Sequence, residues 1–145
     1  MALNVKVKKL DSNAVIPSYS HYGDGCMDLT ATSVKTANRY TEYGTGLAFE
    51  IPYGYVGLMF PRSSCSKYDL VLANCVGVID HQYRGELKAR FKVVEAGASF
   101  FMEEYKVGDR VAQIMIIPRP EVNFIECQEL QVSQRGDGGF GSTGN

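Results

Sequence analysis

The last eleven residues, RGDGGFGSTGN at 135–145, combine groups that suit an anion lying next to a flat ring. Consecutive glycines let backbone N–H groups turn toward an anion, and the hydroxyls of Ser142 and Thr143 add donors beside them. Arg135 contributes a planar fork of donors that matches phosphate, and Phe140 contributes an aromatic face. Phosphate together with a flat ring indicates a nucleotide ligand.

The same segment contains the spacing GxGxxG, formed by Gly136, Gly138 and Gly141. As a dinucleotide motif it would need a strand before it and a helix after it, and only four residues follow Gly141. A P-loop is excluded as well, because no lysine precedes Ser142. Since glycine loses more backbone freedom on ordering than any other residue, we expect this terminus to stay mobile until a partner orders it.

A second anion-binding stretch, PRSS at 61–64, follows the apolar sequence VGLMF. Arg62, Ser63 and Ser64 would present a guanidinium, two hydroxyls and free N–H groups together if a helix begins there. The few residues after Arg62 are the only place where the pattern allows a helix, with Ser63 or Ser64 as its N-cap. The alternative is an ordinary helix cap without a ligand.

The stretch NCVGVIDHQYRGEL, 74–87, supplies the candidate for a general base. An apolar run ends in Asp80, a short loop follows, and the chain returns through Tyr83 into alternating polar and apolar residues, which predicts a β-hairpin. Asp80 has a simple explanation as a turn former, but a carboxylate on a rigid hairpin can also take a proton from an attacking water. His81 is expected outside the pocket, because adjacent strand residues point to opposite faces.

A further polar pair lies in GDRVAQIMIIP, 108–118, where a turn leads into a strand that carries Arg110 and Gln113. Either side chain can be a surface group on a half-buried strand. Gln113 is the stronger candidate for a site, because it interrupts an otherwise apolar run.

Strands must position these residues, because alternation with period two dominates the sequence. The alternation predicts half-buried strands in which three sets of apolar residues form the buried face: Leu3, Val5 and Val7; Leu47, Phe49 and Ile51; Leu87, Ala89, Phe91 and Val93. Turn signals recur between strands, at YGDG, PYGY, YRGE and VGD. With no long segment of helical period, the sequence predicts one all-β domain shaped as a sandwich or barrel.

The composition argues against several kinds of partner and site. Lysine and arginine number 15 against 16 acidic residues and form no basic patch, which argues against a nucleic-acid partner. The longest aliphatic run, IMII at 114–117, is too short for a membrane span and no signal sequence is evident, so we expect a cytoplasmic protein. The four cysteines lack paired spacing and are expected to be free thiols, with no disulfides and no zinc site.

Five stretches, taken in order, resemble the motif set of the trimeric deoxyuridine triphosphatases (dUTPases), which hydrolyse dUTP to dUMP and pyrophosphate. They are GCMDLTA, PRSS, GVIDHQYRGEL, GDRVAQ and RGDGGFGSTG. The resemblance implies a distorted jelly-roll or β-clip barrel of short mixed strands, with one short helix after Arg62. It also implies a β domain over 1–133 and a flexible glycine-rich arm over 134–145.

The same resemblance implies a role for each matched residue. Asp80 corresponds to the aspartate that activates the water attacking the α-phosphorus, and Tyr83 to the tyrosine that leaves no room for a ribose 2′-hydroxyl. Asp28 corresponds to an aspartate that reaches Mg²⁺ through water, while the phosphates hold most of the ion. The uracil edge would be bound by Asn74, Gly77, Val78 and Ile79. The phosphate and closing-arm positions are Arg62, Ser63, Ser64, Gln113, Arg135, Phe140, Gly141, Ser142 and Thr143.

In that family three subunits share each pocket, so the resemblance implies a homotrimer. Cys26 and Ser64 stand where the family usually has glycine, and Gln82 replaces a frequent aspartate. A side chain at Cys26 would be strained if that backbone needs a positive φ. Two alternatives remain: a dCTP deaminase, alone or bifunctional with dUTPase, and a catalytically silent regulator gated by nucleotide. Phe140 and the YRGE that follows Asp80 favour the hydrolase.

Overall fold

The computed structural model of the protein describes residues 2–94 and 104–139. Within these ranges the chain is all-β, as the sequence predicts, and its one helical element is the 3₁₀ turn Ser63–Lys67. No helix in the described ranges has the length and apolar character needed to cross a membrane. The strands are β1 (Lys6–Lys9), β2 (Met27–Thr30), β3 (Ser33–Ala37), β4 (Tyr40–Gly44), β5 (Leu47–Glu50), β6 (Tyr55–Pro61), β7 (Leu70–Leu72), β8 (Gly77–Ile79), β9 (Lys88–Val93) and β10 (Arg110–Pro118).

The strands form three separate sheets. β1 pairs with β5, one four-stranded sheet has the order β2-β10-β6-β8, and a second has the order β3-β4-β9-β7. The strands are short, as expected, and each pairing among the described residues is antiparallel rather than mixed in direction. Hydrogen bonds do not close these sheets into a continuous barrel in the described part of the chain, so side-chain packing joins them.

Alternation along β9 separates a buried face from an exposed face, as the sequence predicts. Ala89 and Phe91 are buried, whereas the three basic residues of the strand are exposed. The predicted burial of Val93 is wrong, because the strand ends there and the side chain is 45% exposed. The predicted burial of Leu3 is also wrong, because this residue precedes β1 and is 40% exposed.

An aromatic group lies in the centre of the core. The ring of Tyr43 packs edge-on against Phe91 and Tyr105, with centroids 5.8 and 5.9 Å apart. Burial raises the pKa of Tyr43 to about 12, so its hydroxyl stays neutral at physiological pH. Leu29 of β2 and Ile114 of β10 belong to the same buried cluster. This core therefore joins the two four-stranded sheets that carry the candidate residues.

β10 brings the candidate residues Asp28, Arg62 and Gln113 to one end of its sheet. Gln113 lies opposite Asp28 of β2 on one side and opposite Phe60 of β6 on the other. β6 ends at Pro61, so Arg62 follows at the same end of the sheet. The register thus gathers residues that are far apart in sequence.

Two local predictions from the sequence are wrong. The N-cap of the 3₁₀ turn is Arg62, and no side chain caps this turn, so neither Ser63 nor Ser64 has the predicted capping role. The stretch 74–87 is not a β-hairpin, because β8 pairs with β6 whereas β9 pairs with β4 and β7. β8 and β9 therefore belong to different sheets, and the connection between them crosses from one sheet to the other.

A buried carboxylate ties β4 to β9. Glu42 is 9% exposed and accepts hydrogen bonds from Arg90 Nε at 2.7 Å and from Lys88 Nζ at 3.2 Å. The hydrogen bond from Arg90 lowers the pKa of the Glu42 carboxyl, against the opposing effect of burial. The Arg90 guanidinium also lies over the ring of Tyr40, 4.6 Å from its centroid.

We expect Glu42→Gln to lower the free energy of unfolding at neutral pH and to remove part of its decline in acid. Because the folded-state pKa of Glu42 lies below the ordinary value of 4.5, its contribution is present above that value and is lost as the pH falls through the folded-state pKa. The loss should stay below the ~3–5 kcal/mol of a broken, fully buried pair, since both cations remain partly solvated. Urea unfolding at neutral pH and at stepwise lower pH measures both effects, and equal acid sensitivity in variant and wild type would contradict the assignment.

Candidate active site

The first group of candidate residues surrounds Asp28 in a polar cleft of about 370 Å³. Asp28 Oδ1 accepts a hydrogen bond from Arg62 Nε at 2.6 Å, and Asp28 Oδ2 accepts one from Arg110 Nη1 at 3.1 Å. One carboxylate therefore holds two guanidinium groups, and these three side chains together carry a net positive charge. The guanidinium donors that Asp28 does not use suit phosphate oxygens. The residues lining this arginine cleft are Ser20, His21, Asp24, Gly25, Cys26, Asp28, Arg62, Arg110 and Gln113.

The other predicted phosphate positions lie in or beside the arginine cleft. The Nε2 of Gln113 donates to the carbonyl oxygen of Pro61 at 2.9 Å, which fixes the amide at the end of β6. The hydroxyl of Ser64 accepts a long hydrogen bond from Arg62 Nη1 at 3.4 Å, so the departure from glycine at this position adds a polar group to the cluster. Ser63 is exposed at the start of the 3₁₀ turn. The structure thus brings Arg62, Ser64 and Gln113 together and leaves Ser63 at their edge.

The second group lies in another cleft, of about 270 Å³, whose walls come from both four-stranded sheets. Val78 and Ile79 belong to β8, and Asp80 follows directly where the strand ends. Asp80 is exposed, so its carboxylate can reach a water molecule in the cleft. The residues lining this aspartate cleft are Glu42, Val78, Ile79, Asp80, Tyr83, Glu86, Leu87, Lys88 and Arg90.

Tyr83 is fixed by its own loop. Its backbone N–H donates to the carbonyl oxygen of Asp80 at 3.0 Å, and its hydroxyl donates to the carbonyl oxygen of Glu86 at 3.0 Å. Gly85 is required between them, because an added Cβ there would lie 2.6 Å from Cζ of the Tyr83 ring. The ring of Tyr83 therefore has a defined orientation at the wall of the aspartate cleft.

Asn74 and Gly77 lie at the other end of β8. Gly77 is buried, and an added Cβ would lie in tight contact with Cε of Met59 at 3.0 Å and in ordinary contact with Nδ2 of Asn74 at 3.6 Å. The amide of Asn74 consequently lies close to the backbone of β8. Cys75, which follows Asn74, has a φ of 60°, which turns the chain sharply before the strand.

The two clefts share no lining residue and lie near opposite ends of β6. Ile79 pairs with Gly57, so Asp80 lies beside Val56, near the start of β6, whereas Arg62 follows its last residue. Six residues at about 3.3 Å per residue amount to roughly 20 Å of strand. Arg62 moreover points to β2, at the sheet edge opposite β8. Within one chain, Asp80 and Arg62 are therefore too far apart to contact the same phosphate group.

The predicted arm lies partly outside the described residues. Its candidates beyond residue 139 are Phe140, Gly141, Ser142 and Thr143. Residues 119–139 contain neither strand nor helix, and within them Arg135 Nε donates to the carbonyl oxygen of Gly138 at 3.0 Å. Arg135 lines neither of the two clefts, so the structure does not bring it to the other candidates.

The sequence did not identify several residues that line the clefts. It left Arg110 open as a surface group, whereas the structure places its guanidinium on Asp28. Glu42 could have been noticed as the one charged residue of β4, whose sequence is YTEYG, but nothing in the sequence linked it to Asp80. His81 lies outside the lining of the aspartate cleft, as expected, and its ring packs edge-on against Tyr53 with centroids 5.5 Å apart.

The backbone at Cys26 carries no strain of the kind considered from the sequence. Among the described residues, the non-glycine positions with positive φ are Asp69 and Cys75. Burial, together with the neighbouring Asp28 carboxylate, raises the pKa of the Cys26 thiol. Cys26 is therefore a neutral, partly buried side chain in the wall of the arginine cleft.

No group of three or more His, Cys, Asp or Glu side chains in the described ranges is arranged to hold a metal ion. Asp28 shares its cleft with one other carboxylate, that of Asp24, and with guanidinium, amide and imidazole groups. One carboxylate suits a Mg²⁺ ion that takes its remaining ligands from water and substrate phosphates, which is common for this ion.

Sequence comparison identifies close relatives. A family model described as dUTPase matches residues 12–144. The deoxyuridine 5′-triphosphate nucleotidohydrolase of Nautilia profundicola is 38% identical over 146 residues, which cover 98% of this chain and 99% of the relative. The protein of the same name from Clostridioides difficile is 38% identical over 144 residues, covering 97% of this chain and 98% of the relative.

Comparison with solved structures also identifies dUTPases. The Staphylococcus bacteriophage 80alpha dUTPase with dUPNHPP has a TM-score of 0.78 and 30% identity, and the match covers 99% of this chain and 100% of that chain. A mutant dUTPase from phage phi11 of S. aureus, described for its coordination of a structural Mg(II) ion, has a TM-score of 0.69 and 28% identity over 88% of this chain and 98% of that chain. Since the family model covers nearly all of the sequence and these two relatives match it over almost their whole length, this chain belongs to the dUTPase family.

Proposed function

We propose that this protein is a dUTP diphosphatase, which hydrolyses dUTP to dUMP and pyrophosphate. The observation that carries the proposal is the pair of clefts near opposite ends of β6. One offers two arginines to phosphates, and the other offers an exposed carboxylate beside an aromatic ring and a strand edge. Hydrolysis at phosphorus depends mainly on positioning and charge neutralisation, so this set of groups is sufficient without a nucleophilic serine or cysteine.

The aspartate cleft would bind the deoxyuridine part of the substrate. β8 is an edge strand of its sheet, so the backbone groups of Gly77, Val78 and Ile79 on its outer side are available to hydrogen-bond the uracil edge. Asn74, whose amide lies close to Gly77, would add a side-chain donor and acceptor. A wrong base would leave such groups unpaired, and discrimination of this kind can reach roughly 10⁴–10⁵. Tyr83 would pack against the deoxyribose and exclude a 2′-hydroxyl.

Asp80 would act as the general base of the reaction. Its carboxylate would take a proton from the water that attacks the α-phosphorus, an effect worth roughly 10²–10⁴ in rate. Its exposed position at the end of β8, fixed by the bond between its carbonyl oxygen and Tyr83, supports this role.

The arginine cleft would bind the triphosphate. Arg62, Ser63, Ser64 and Gln113 would donate to phosphate oxygens. Asp28 would hold Mg²⁺ through water, and the bound ion would neutralise phosphate charge. Both oxygens of Asp28 already accept hydrogen bonds from arginine, and the described residues offer no group of three or more metal-ligating side chains, which supports an ion held chiefly by the substrate phosphates.

A homotrimer with shared active sites would bring the two clefts together. The arginine cleft of one subunit would face the aspartate cleft of the next. Asp80 and Arg62 would then act on one substrate although they lie roughly 20 Å apart along β6 within a single chain. Residues 1–133 would form the body, whose last strand ends at Pro118, and the arm at 134–145 would close over the site from the third subunit. The arm residues that would then contact the bound nucleotide and exclude water from the reaction are Arg135, Phe140, Gly141, Ser142 and Thr143.

The substrate is tested by pyrophosphate release from dUTP, UTP, dTTP and dCTP in parallel, with and without a chelator of divalent cations. We expect release from dUTP alone, and we expect the chelator to abolish it because Mg²⁺ neutralises the phosphate charge. Ammonia release from dCTP would instead support a deaminase of the same fold. Binding of dUTP without release of either product would support a silent regulator.

Asp80→Asn should preserve dUTP binding and lower kcat about 10²–10⁴-fold, because the amide has nearly the same shape but cannot accept the proton. Calorimetric titration measures the binding, and pyrophosphate release measures the turnover. The matched control is Asp69→Asn, the same change at an exposed carboxylate that lines neither cleft. Asparagine tolerates the φ of 49° at this position, so the control should keep full activity. Full activity of Asp80→Asn would remove Asp80 as the base.

Mixing two inactive variants tests whether subunits share the site. Arg62→Ala and Asp80→Asn should each be nearly inactive alone, whereas trimers assembled randomly from both should recover about a quarter of wild-type activity, because one site in four receives both intact residues. The two proteins are unfolded and refolded together, with each variant refolded alone as the control. Failure of the mixture to exceed the separate variants, with trimers present by ultracentrifugation, would place both residues in one chain's site.

A further inference from the structure

Glu86 connects the aspartate cleft to the turn between β4 and β5. Its Oε1 accepts a hydrogen bond from the backbone N–H of Gly46 at 2.9 Å, and its Oε2 lies 3.4 Å from Lys88 Nζ. Its carbonyl oxygen accepts the hydrogen bond from the Tyr83 hydroxyl at 3.0 Å. The side chain is 25% exposed, so these contacts lie partly out of water.

The Glu86 carboxylate packs directly against Gly44, at the start of the β4–β5 turn. An added Cβ at Gly44 would lie 2.6 Å from Glu86 Oε1, so a larger residue there would displace the carboxylate. The next residue, Leu87, is fixed to the same turn, since its N–H donates to Leu47 O at 2.8 Å and its carbonyl oxygen accepts from Thr45 Oγ1 at 2.8 Å. The end of the connection between β8 and β9 is therefore fastened to the β4–β5 turn through two consecutive residues.

We propose that Glu86 is a positioning residue for Tyr83 and that it thereby sets the preference for deoxyribose over ribose. The proposal rests on the proposed function, which gives Tyr83 its contact with the sugar. The peptide whose carbonyl oxygen accepts the Tyr83 hydroxyl is held on one side by the Leu87 N–H, and the bond from Gly46 to the Glu86 side chain holds it on the other. Without the bond from Gly46 only the contacts of Leu87 restrain this peptide, so the Tyr83 ring gains freedom to move away from the sugar position and leave room for a 2′-hydroxyl.

The hydrogen bond to Gly46, rather than the negative charge, carries this role. Lys88 is already paired with Glu42 at 3.2 Å, so it does not depend on Glu86 for a partner. Glutamine keeps an oxygen that can accept from the Gly46 N–H and loses the charge. The two substitutions Glu86→Ala and Glu86→Gln therefore separate the hydrogen bond from the ion pair.

The test compares kcat/KM for dUTP and for UTP in wild type, Glu86→Ala, Glu86→Gln and Glu50→Ala. We expect Glu86→Ala to lower the ratio of the two values by about tenfold, the size expected for one lost, partly buried hydrogen bond. Glu86→Gln should restore the ratio to within about twofold of wild type. The control Glu50→Ala removes an exposed glutamate paired with Lys6 and should not change the ratio. Hydrogen exchange at the Gly46 amide, faster only in Glu86→Ala, reports the bond without any turnover.

A second arm begins with Tyr83→Phe, a variant that leaves Glu86 unchanged. Tyr83→Phe removes the donor to the Glu86 carbonyl oxygen, so it should lower the ratio by a similar factor, and adding Glu86→Ala to it should produce little further change. An unchanged ratio in either single variant, or full additivity in the double variant, would overturn the proposal. If wild type released no pyrophosphate from dUTP, the proposed function itself would fail. An active wild type whose ratio is unaffected by Glu86→Ala would refute only the role of Glu86.

Discussion

The antiparallel register between β6 and β10 is the constraint on which the candidate site depends. It runs from Ala112 opposite Pro61 to Pro118 opposite Tyr55. Residues at one end of these strands gather around Asp28, whereas β8 pairs with the middle of β6 and runs from there toward the start of β6, where Asp80 follows. Because the rise per residue fixes the length of a strand, side-chain rotation does not bring the two clefts together. In the proposed mechanism the chain therefore carries halves of different sites, and assembly completes each one.

Both clefts contain a carboxylate that holds two cations, but the two arrangements differ in what they can bind. Asp28 and Arg62 have side chains that are 21% and 24% exposed at the wall of the open arginine cleft, so the unused guanidinium donors can reach a polyanion. Glu42 is more deeply buried, with its side chain 11% exposed, and its cations come from the neighbouring strand β9. The Asp28 arrangement is therefore suited to bind a ligand, whereas the Glu42 arrangement stabilises one wall of the aspartate cleft.

The sequence predicted the parts of this protein that follow from local patterns. Alternation identified β9 with its buried residues Ala89 and Phe91, and the motifs identified Arg62 and Asp28, which the structure brings into contact. It did not predict the sheet to which each strand belongs. The connection after Asp80 was expected to close a hairpin, since it is short and flanked by strands, yet the partners of those strands lie in different sheets. Pairing of this kind depends on distant segments, whose contribution a local pattern does not contain.

By itself, the sequence determined the all-β class and the residue types available for binding phosphate and activating water, because side-chain periodicity and functional-group chemistry are local properties. Only the tertiary structure decided that Arg110 contacts Asp28, that the Tyr83 hydroxyl donates to the carbonyl oxygen of Glu86, and that the arginine and aspartate clefts lie apart. Each of these relations spans separate strands or a folded turn. They follow from strand register and sheet packing, which are settled when the whole core forms.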